Sequence, residues 1–305
     1  MQDILTCAMG LDVHRDIIVA CLVKGAVDAE PEAETRTFST LIPEMQKLRD
    51  WVIESECRNI AMESTGIYWQ PIYEMLEPCF DGQISILVVN ARHMKNVPGR
   101  KTDMRDAQWI ATLLRAGLLK GSFIPDKTFR ELRHLTRYRK SIVHDITAQK
   151  NRIDKFLQSS GFRFTAFLSD AFGASGRNII RHLMEYGNIS REALDRCLKT
   201  QTRKRIDEIL IALNGSLSEH QRGFLRMIFG HLEALEQHRH TVEDAITKEI
   251  TKHEEALSLL CSIPGIDVTA AAAIIAEIGT DMSAFPDSQH ICSWAGLSPG
   301  NNESA

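Results

Sequence analysis

The spacing of apolar residues changes along the chain from a strand rhythm to a helical one. LTCAMGLD (5–12) and DIIVACLV (16–23) are short runs of small and β-branched residues around a tight turn, which predicts a β-hairpin. ETRTFST (34–40) alternates as an edge strand does. In IPEMQKLRDWVIES the period becomes helical. Met45, Leu48, Trp51 and Val52 share a face, and Pro43 suits the first turn, where a missing N–H costs nothing. RNIAME (58–63) reads as a short strand, GIYWQPIYEML as a helix starting near Gln70, and QISILVVN (83–90) as a strand without polar alternation. A helix carrying Asp103 and Asp106 follows.

After Pro125 the pattern is helical throughout. Leu132, Leu135, Ile142, Ile146, Ile153 and Phe156 recur at three- and four-residue steps over 127–158. Arg139 and Gln149 fall on the same seam, which limits any coiled coil to a short or interrupted one. SDAFGASGR (169–177) reads as a loop, with two or three short helices between 160 and 215. Ser218 and Gln221 form a capping box. It opens a second long helix to about residue 255, with Leu225, Ile228, Leu232, Leu235, Val242, Ile246 and Ile250 in heptad-like spacing. Two long helices around a smaller helical region predict an antiparallel stalk through which two copies would pair. LLCSIPGIDVTAAAAIIAEIG (259–279) is helix, Pro-Gly turn, helix. It is either a packed helical hairpin or a helix-hairpin-helix whose turn amides face a phosphate, with Asp267 standing where the second glycine would be.

The order βββαβαβα, opened by a hairpin, is that of an α/β RNase H-like fold. The expected organisation is therefore an RNase H-like domain over 1–124, a helical, coiled-coil stalk over 125–255, and the start of a small α-helical C-terminal domain over 256–305. The Gly/Ser/Asn-rich ending, WAGLSPGNNESA, predicts that the natural protein continues.

Composition narrows the class. With 44% hydrophobic and 25% charged residues the chain reads as a globular protein, and no apolar run reaches the roughly 20 residues of a membrane span, so no membrane partner is expected. MQDILTC is too short and acidic for a signal peptide. Seven scattered cysteines, an odd number without a C-x-x-C pair, support neither a disulfide framework nor a zinc site and fit a reducing cytoplasm. The net charge of −4 argues against a nucleic-acid binder, but its distribution argues the other way. Residues 1–90 hold 15 acidic and 6 basic side chains; residues 91–152 hold 5 and 15. Such a block is either a solvated helix surface or a track for a phosphate backbone. In the second reading Arg92, Lys95, Arg100, Lys101, Arg105, Arg130, Arg133, Arg137 and Lys140 contact nucleic acid, joined by Arg15 after the first strand.

The basic block flanks an acidic pair. Asp103 and Asp106, three apart on one helix, either offset the positive end of that helix or point together at a shared cation. The RNase H-like fold gathers acids from the end of its first strand, the end of its fourth and its last helix. Those places hold Asp12, Glu63, and Asp103 with Asp106.

Together GLDVHRD, AMESTGIYW and KTDMRDAQWIA resemble the motifs of the DEDD transposases of insertion sequences, the group that includes the Piv DNA invertase and the bridge-RNA-guided recombinases. SIPGIDVTAAAAIIAEIG and FPDSQHICSWAGLSPGNNESA resemble their C-terminal transposase domain. The resemblance implies an enzyme that cleaves and exchanges DNA strands at Asp12, Glu63, Asp103 and Asp106 around one or two Mg²⁺ ions, with Mn²⁺ able to substitute. It further implies a nucleophilic serine, matched by Ser304, a structured noncoding guide RNA, and a homo-oligomer, dimer or tetramer, in the nucleoid-associated cytoplasm of a bacterium. The glycine- and lysine-rich continuation after the family's serine is absent here.

Other classes fit less well. Sugar-kinase and actin-like ATPases also open with GLDV but follow their acid with small residues, where this chain has His14 and Arg15. A Holliday-junction resolvase would use the acids without the serine. A non-catalytic nucleic-acid scaffold would bind no metal at them.

Overall fold

The computed structural model describes residues 4–63, 66–90 and 106–297. The chain divides after Ile124 into two units.

The first unit is built on a mixed five-stranded sheet: β1 (Cys7–Val13), β2 (Ile17–Lys24), β3 (Glu32–Ser39), β4 (Asn59–Glu63) and β5 (Ser85–Val89), in the order β3-β2-β1-β4-β5. β1 to β3 form an antiparallel meander, and β4 and β5 add parallel to β1. This is the strand order of the RNase H-like α/β fold. Alternate residues of each strand serve opposite faces. Met9, Leu11, Ile18, Ala20, Ile60 and Met62 pack against α1 (Ile42–Glu54) and α2 (Trp69–Leu76) through Leu48, Trp51, Ile72 and Leu76. Ala8, Ala61 and Val89 on one side, Cys21 and Val23 on the other, pack against α3 (Asp106–Arg115). The free side of β5 is covered by its own chain: Ser122 donates its N–H to the Val88 carbonyl at 2.7 Å. The opposite edge, β3, exposes Glu32, Glu34 and Arg36, charges that discourage pairing with another chain.

The second unit is helical. α4 (Lys127–Ser159) is followed by α5 (Ala174–Tyr186), α6 (Arg191–Cys197), α7 (Thr200–Arg203), α8 (Ile206–Ala212), α9 (Glu219–Ile250), α10 (Glu254–Cys261), α11 (Val268–Ile278) and α12 (Ser288–Trp294). α4 and α9 run antiparallel, since Arg139 bonds Glu243 while Gln149, ten residues on, donates to the Ile228 carbonyl at 2.6 Å. The two polar residues on the α4 seam are therefore satisfied rather than excluded. One apolar core joins α4 and α9 to α5, α6, α8 and α11, including Ile153, Ile180, Leu194, Leu225 and Ile275. No helix among the described residues is long and apolar enough to cross a membrane.

Three local expectations are corrected. Between 160 and 215 the chain forms four helices, α5 to α8, rather than two or three. The stretch 169–177 is not all loop: α5 begins at Ala174. Gly176, which looked like a loop glycine, sits where a Cβ would come within 1.9 Å of the Ala171 carbonyl, so a glycine is needed for the helix to start there. The second long helix ends at Ile250, where a 3₁₀ turn at Thr251–His253 redirects the chain into α10. The capping box is present at its start, with Ser218 and Gln221 bonding reciprocally.

The Pro-Gly hairpin is also resolved. Asp267 caps α11 by accepting the Ala270 N–H at 2.7 Å. A carboxylate thus occupies the helix end that a phosphate-binding hairpin would leave open. Asp267→Ala is expected to lower the stability of this unit by about 1 kcal/mol, the usual value of such a cap, measured as a shift in the urea midpoint. An unchanged midpoint would show that the cap contributes nothing.

Candidate active site

Sheet register brings Asp12 and Glu63 side by side. β1 and β4 pair in parallel through Leu11 and Met62, and the next residue on each strand is Asp12 and Glu63. Leu11 and Val13 face the α1–α2 core, so Asp12 between them faces α3. Ala61 packs toward α3, so Glu63 shares that side.

Helix α3 brings Asp106 to the same end. Its last residue, Arg115, accepts from the Ile4 and Leu5 N–H groups at 2.9 and 3.2 Å, beside the start of β1. Near its first turn Ala107 lies over Gly10, so α3 runs antiparallel to β1 and starts where β1 ends. Asp106, Asp12 and Glu63 therefore emerge at one edge: the C-terminal ends of two parallel strands and the N-terminus of a helix, whose positive end favours carboxylates. Among the described residues no three His, Cys, Asp or Glu side chains converge closely enough to hold a metal ion. Asp103 lies outside the described residues, as do Arg92, Lys95, Arg100, Lys101, Arg105 and Ser304.

The close approach of α3 depends on residue size. A Cβ on Gly10 would stand 2.1 Å from the Ala107 carbonyl oxygen and 2.4 Å from the Ala111 nitrogen. Glycine on the strand and two alanines on the helix let the backbones meet. At the far end the buried Arg115 clamps the helix, donating from Nε to the Leu5 carbonyl at 2.9 Å and from Nη2 to those of Gly25 and Ala26 at 3.2 and 2.5 Å.

Two residues outside the set of acids also lie at this edge. His14 Nε2 lies 3.2 Å from Asp12 Oδ2; the ring is 60% exposed, the carboxylate 15%. Their spacing of two along an extended chain puts them on one face, a signal that was available. Gly10 is the other, and an isolated glycine inside a strand signals a close backbone approach.

The basic residues divide. Arg15 is exposed and lies 3.6 Å from Asp16 at the hairpin tip. Lys140 is exposed. Arg137 is exposed but forks onto both oxygens of Glu277. Arg130 is buried, only 8% exposed, and donates to the Pro125 carbonyl at 3.0 Å; Arg133 donates to the Ala276 and Glu277 carbonyls. Burial lowers the pKa of Arg133 from its ordinary value, against the opposing pull of Glu277. The Arg133 guanidinium thus ties α4 to α11, and that of Arg130 bonds the chain just before its own helix. A cleft of about 960 Å³ in this unit is lined in part by Arg137, Arg139, Lys140 and Asp267, and by none of the acids of the sheet edge.

Residues 9–161 match the model of the DEDD transposases of the IS110 type, described as a transposase, and residues 257–305 match that of the transposase IS116/IS110/IS902 family. An insertion element IS110 uncharacterized 43.6 kDa protein of Streptomyces coelicolor is 28% identical over 227 residues, which cover 68% of this chain and 55% of that protein. The chain thus spans about half the length of this curated relative. The structure also aligns with a Thermus thermophilus RuvC structure over 38% of this chain and 99% of that one, at 12% identity and a TM-score of 0.27, too low a likeness to bear on function. The first family model alone spans half of the chain, across the strands and helix that present Asp12, Glu63 and Asp106, and on this ground the chain belongs to the IS110 family of insertion-element transposases.

Proposed function

We propose that this protein is a DNA transposase whose first unit cleaves phosphodiester bonds at a carboxylate centre formed by Asp12, Glu63, Asp103 and Asp106. The observation that carries the reading is the emergence of Asp12, Glu63 and Asp106 at one edge of the sheet, from two adjacent strands and a helix start. Strands and a packed helix hold such groups more firmly than loops would. The donor set is oxygen only, which suits a hard divalent cation, Mg²⁺ with Mn²⁺ as substitute. The four acids would hold it, and once bound it would polarise the phosphodiester and offset charge on the attacking and leaving oxygens.

In this reading the Ser304 hydroxyl attacks phosphorus, forming a serine–DNA bond while the P–O bond to the leaving strand breaks and its oxygen takes up a proton. The element ends and the target are the DNA substrates, a structured noncoding RNA guides the choice of site, and the working assembly is a dimer or tetramer. Arg15, Arg92, Lys95, Arg100, Lys101, Arg105, Arg137 and Lys140 would supply backbone contacts, so DNA affinity should fall steeply with added salt.

The test uses the protein with element-end DNA, guide RNA and Mg²⁺. Strand cleavage that stops on chelation is expected; cleavage unaffected by chelation, or none at all, overturns the reading. A covalent protein–DNA adduct is expected to disappear in Ser304→Ala. An adduct that persists in that variant assigns the nucleophile to another residue.

A further inference from the structure

We infer that Cys7 and Cys57 are a reactive thiol pair, which hydrogen peroxide closes into a disulfide tying the start of β1 to the entry of β4.

The fold joins two cysteines that are far apart in sequence. β1 and β4 pair in parallel with Met9 opposite Ile60, so Cys7 and Cys57 lie at the same end of that ladder. Cys57 is fully buried in the α1–α2 core, and Cys7 packs half-buried against the same core. Backbone holds both in place. The Cys57 N–H donates to the Val52 carbonyl of α1 at 3.2 Å. Cys57 Sγ donates to the Asn59 carbonyl at 3.4 Å, and Asn59 Nδ2 donates across the strands to the Cys7 carbonyl at 3.3 Å. The two thiols are themselves in hydrogen-bond contact. Lys24 stands opposite Cys7 on β2, and its Nζ reaches the Ser55 carbonyl at 3.5 Å, just past the end of α1.

These surroundings divide the roles. The hydrogen bond from Cys57 lowers the Cys7 pKa below the ordinary thiol value, with help from the Lys24 ammonium and against partial burial. The same bond, with its own burial, pushes Cys57 up, so Cys57 keeps its proton. A partly exposed thiolate beside a resolving thiol is the arrangement that oxidises selectively.

The Cys7 thiolate attacks one peroxide oxygen, forming an S–O bond as the O–O bond breaks. The other oxygen leaves as hydroxide and takes up a proton to give water. The Cys57 sulfur then attacks Cys7, an S–S bond forms, and the S–O bond breaks. The hydroxyl departs with the Cys57 proton as a second water. Two thiols lose two electrons and one peroxide gains them. The bond links the two strands that carry Asp12 and Glu63 at their other ends.

The experiment treats the folded full chain with rising hydrogen peroxide, alkylates the remaining thiols and maps all seven cysteines by mass spectrometry. Cys7 and Cys57 are expected to be the first thiols lost, together, as one cross-linked peptide that dithiothreitol restores. In Cys57→Ala, Cys7 should instead be trapped by dimedone as a sulfenic acid. In Cys7→Ala, Cys57 should stay alkylatable at the same dose. The wild-type map decides the matter even if a variant fails to fold. Another cysteine oxidising first, Cys7 oxidised with Cys57 still free, or Cys7 joined to a different cysteine overturns the inference. Each of these outcomes leaves the carboxylate reading untouched.

Discussion

Asp12→Asn is expected to lower DNA strand cleavage by roughly 10³-fold, comparable to the loss of one preorganised charge-stabilising group from an active site. The substitution keeps the shape of the side chain and removes its charge. Because Asp12 lies on the central strand with its backbone paired to β2 on one side and next to the β1–β4 ladder on the other, the fold should tolerate it, and the melting temperature is expected to stay within a few degrees of wild type. Glu63→Gln should behave the same way. If the acids act as one centre, the double variant is expected to lose no more than the worse single one, since groups that act as a unit are far from additive. Cleavage assays on the same DNA, with binding measured in parallel, separate this from a loss of affinity. A variant that retains a tenth of wild-type cleavage would place Asp12 outside the reacting centre.

Gly10→Ala is expected to be the most disruptive small substitution in the first unit. Its Cβ would meet two backbone atoms of α3, at 2.1 and 2.4 Å, and backbone cannot rotate aside as a side chain does. Overpacking of this kind costs about 3 kcal/mol, the upper part of its usual range. The strain acts where α3 begins, so relief by lifting the helix would also move Asp106. Cleavage should therefore fall even at temperatures where the variant stays folded. Gly223→Ala and Gly230→Ala provide the contrast. Both sites are inside α9 with no atom near the added Cβ, and each change should stabilise by about 0.5–1 kcal/mol because alanine is the better helix residue. Urea unfolding of the three variants gives the comparison. A Gly10→Ala midpoint equal to wild type would mean that α3 does not rest on the strand as described.

What was legible in the sequence is what depends on near neighbours. The hairpin of β1 and β2, the apolar face of α1 and the reciprocal cap at Ser218 and Gln221 follow from side-chain period and from bonds three residues apart. The strand order βββαβαβα was readable for the same reason, and with the placement of acids at strand ends it pointed to a candidate site before any tertiary contact was known. Periodicity located the polar seam residues Arg139 and Gln149 as well, but their partners, Glu243 and the Ile228 carbonyl, are some eighty to a hundred residues away.

Tertiary structure decided the rest. A basic run looks the same whether its charges meet solvent or carbonyl groups. Arg133 is held by Ala276 and Glu277, 143 and 144 residues on, and no local pattern carries that information. Asp267 belonged equally to a phosphate-facing turn and to a capped helix until the chain showed its side chain on the Ala270 N–H. The start of α5 inside a glycine-rich stretch depends on the Ala171 carbonyl lying against Gly176, and the tight seat of α3 depends on Gly10 meeting Ala107 and Ala111 about a hundred residues later. By itself the sequence determined the strands of the first unit, their order and the two long helices, because hydrophobic period and capping are written into neighbouring residues. Which charges are buried, which glycines are indispensable and how Asp12, Glu63 and Asp106 come to share one edge were decided by contacts between distant parts of the chain, which only packing creates.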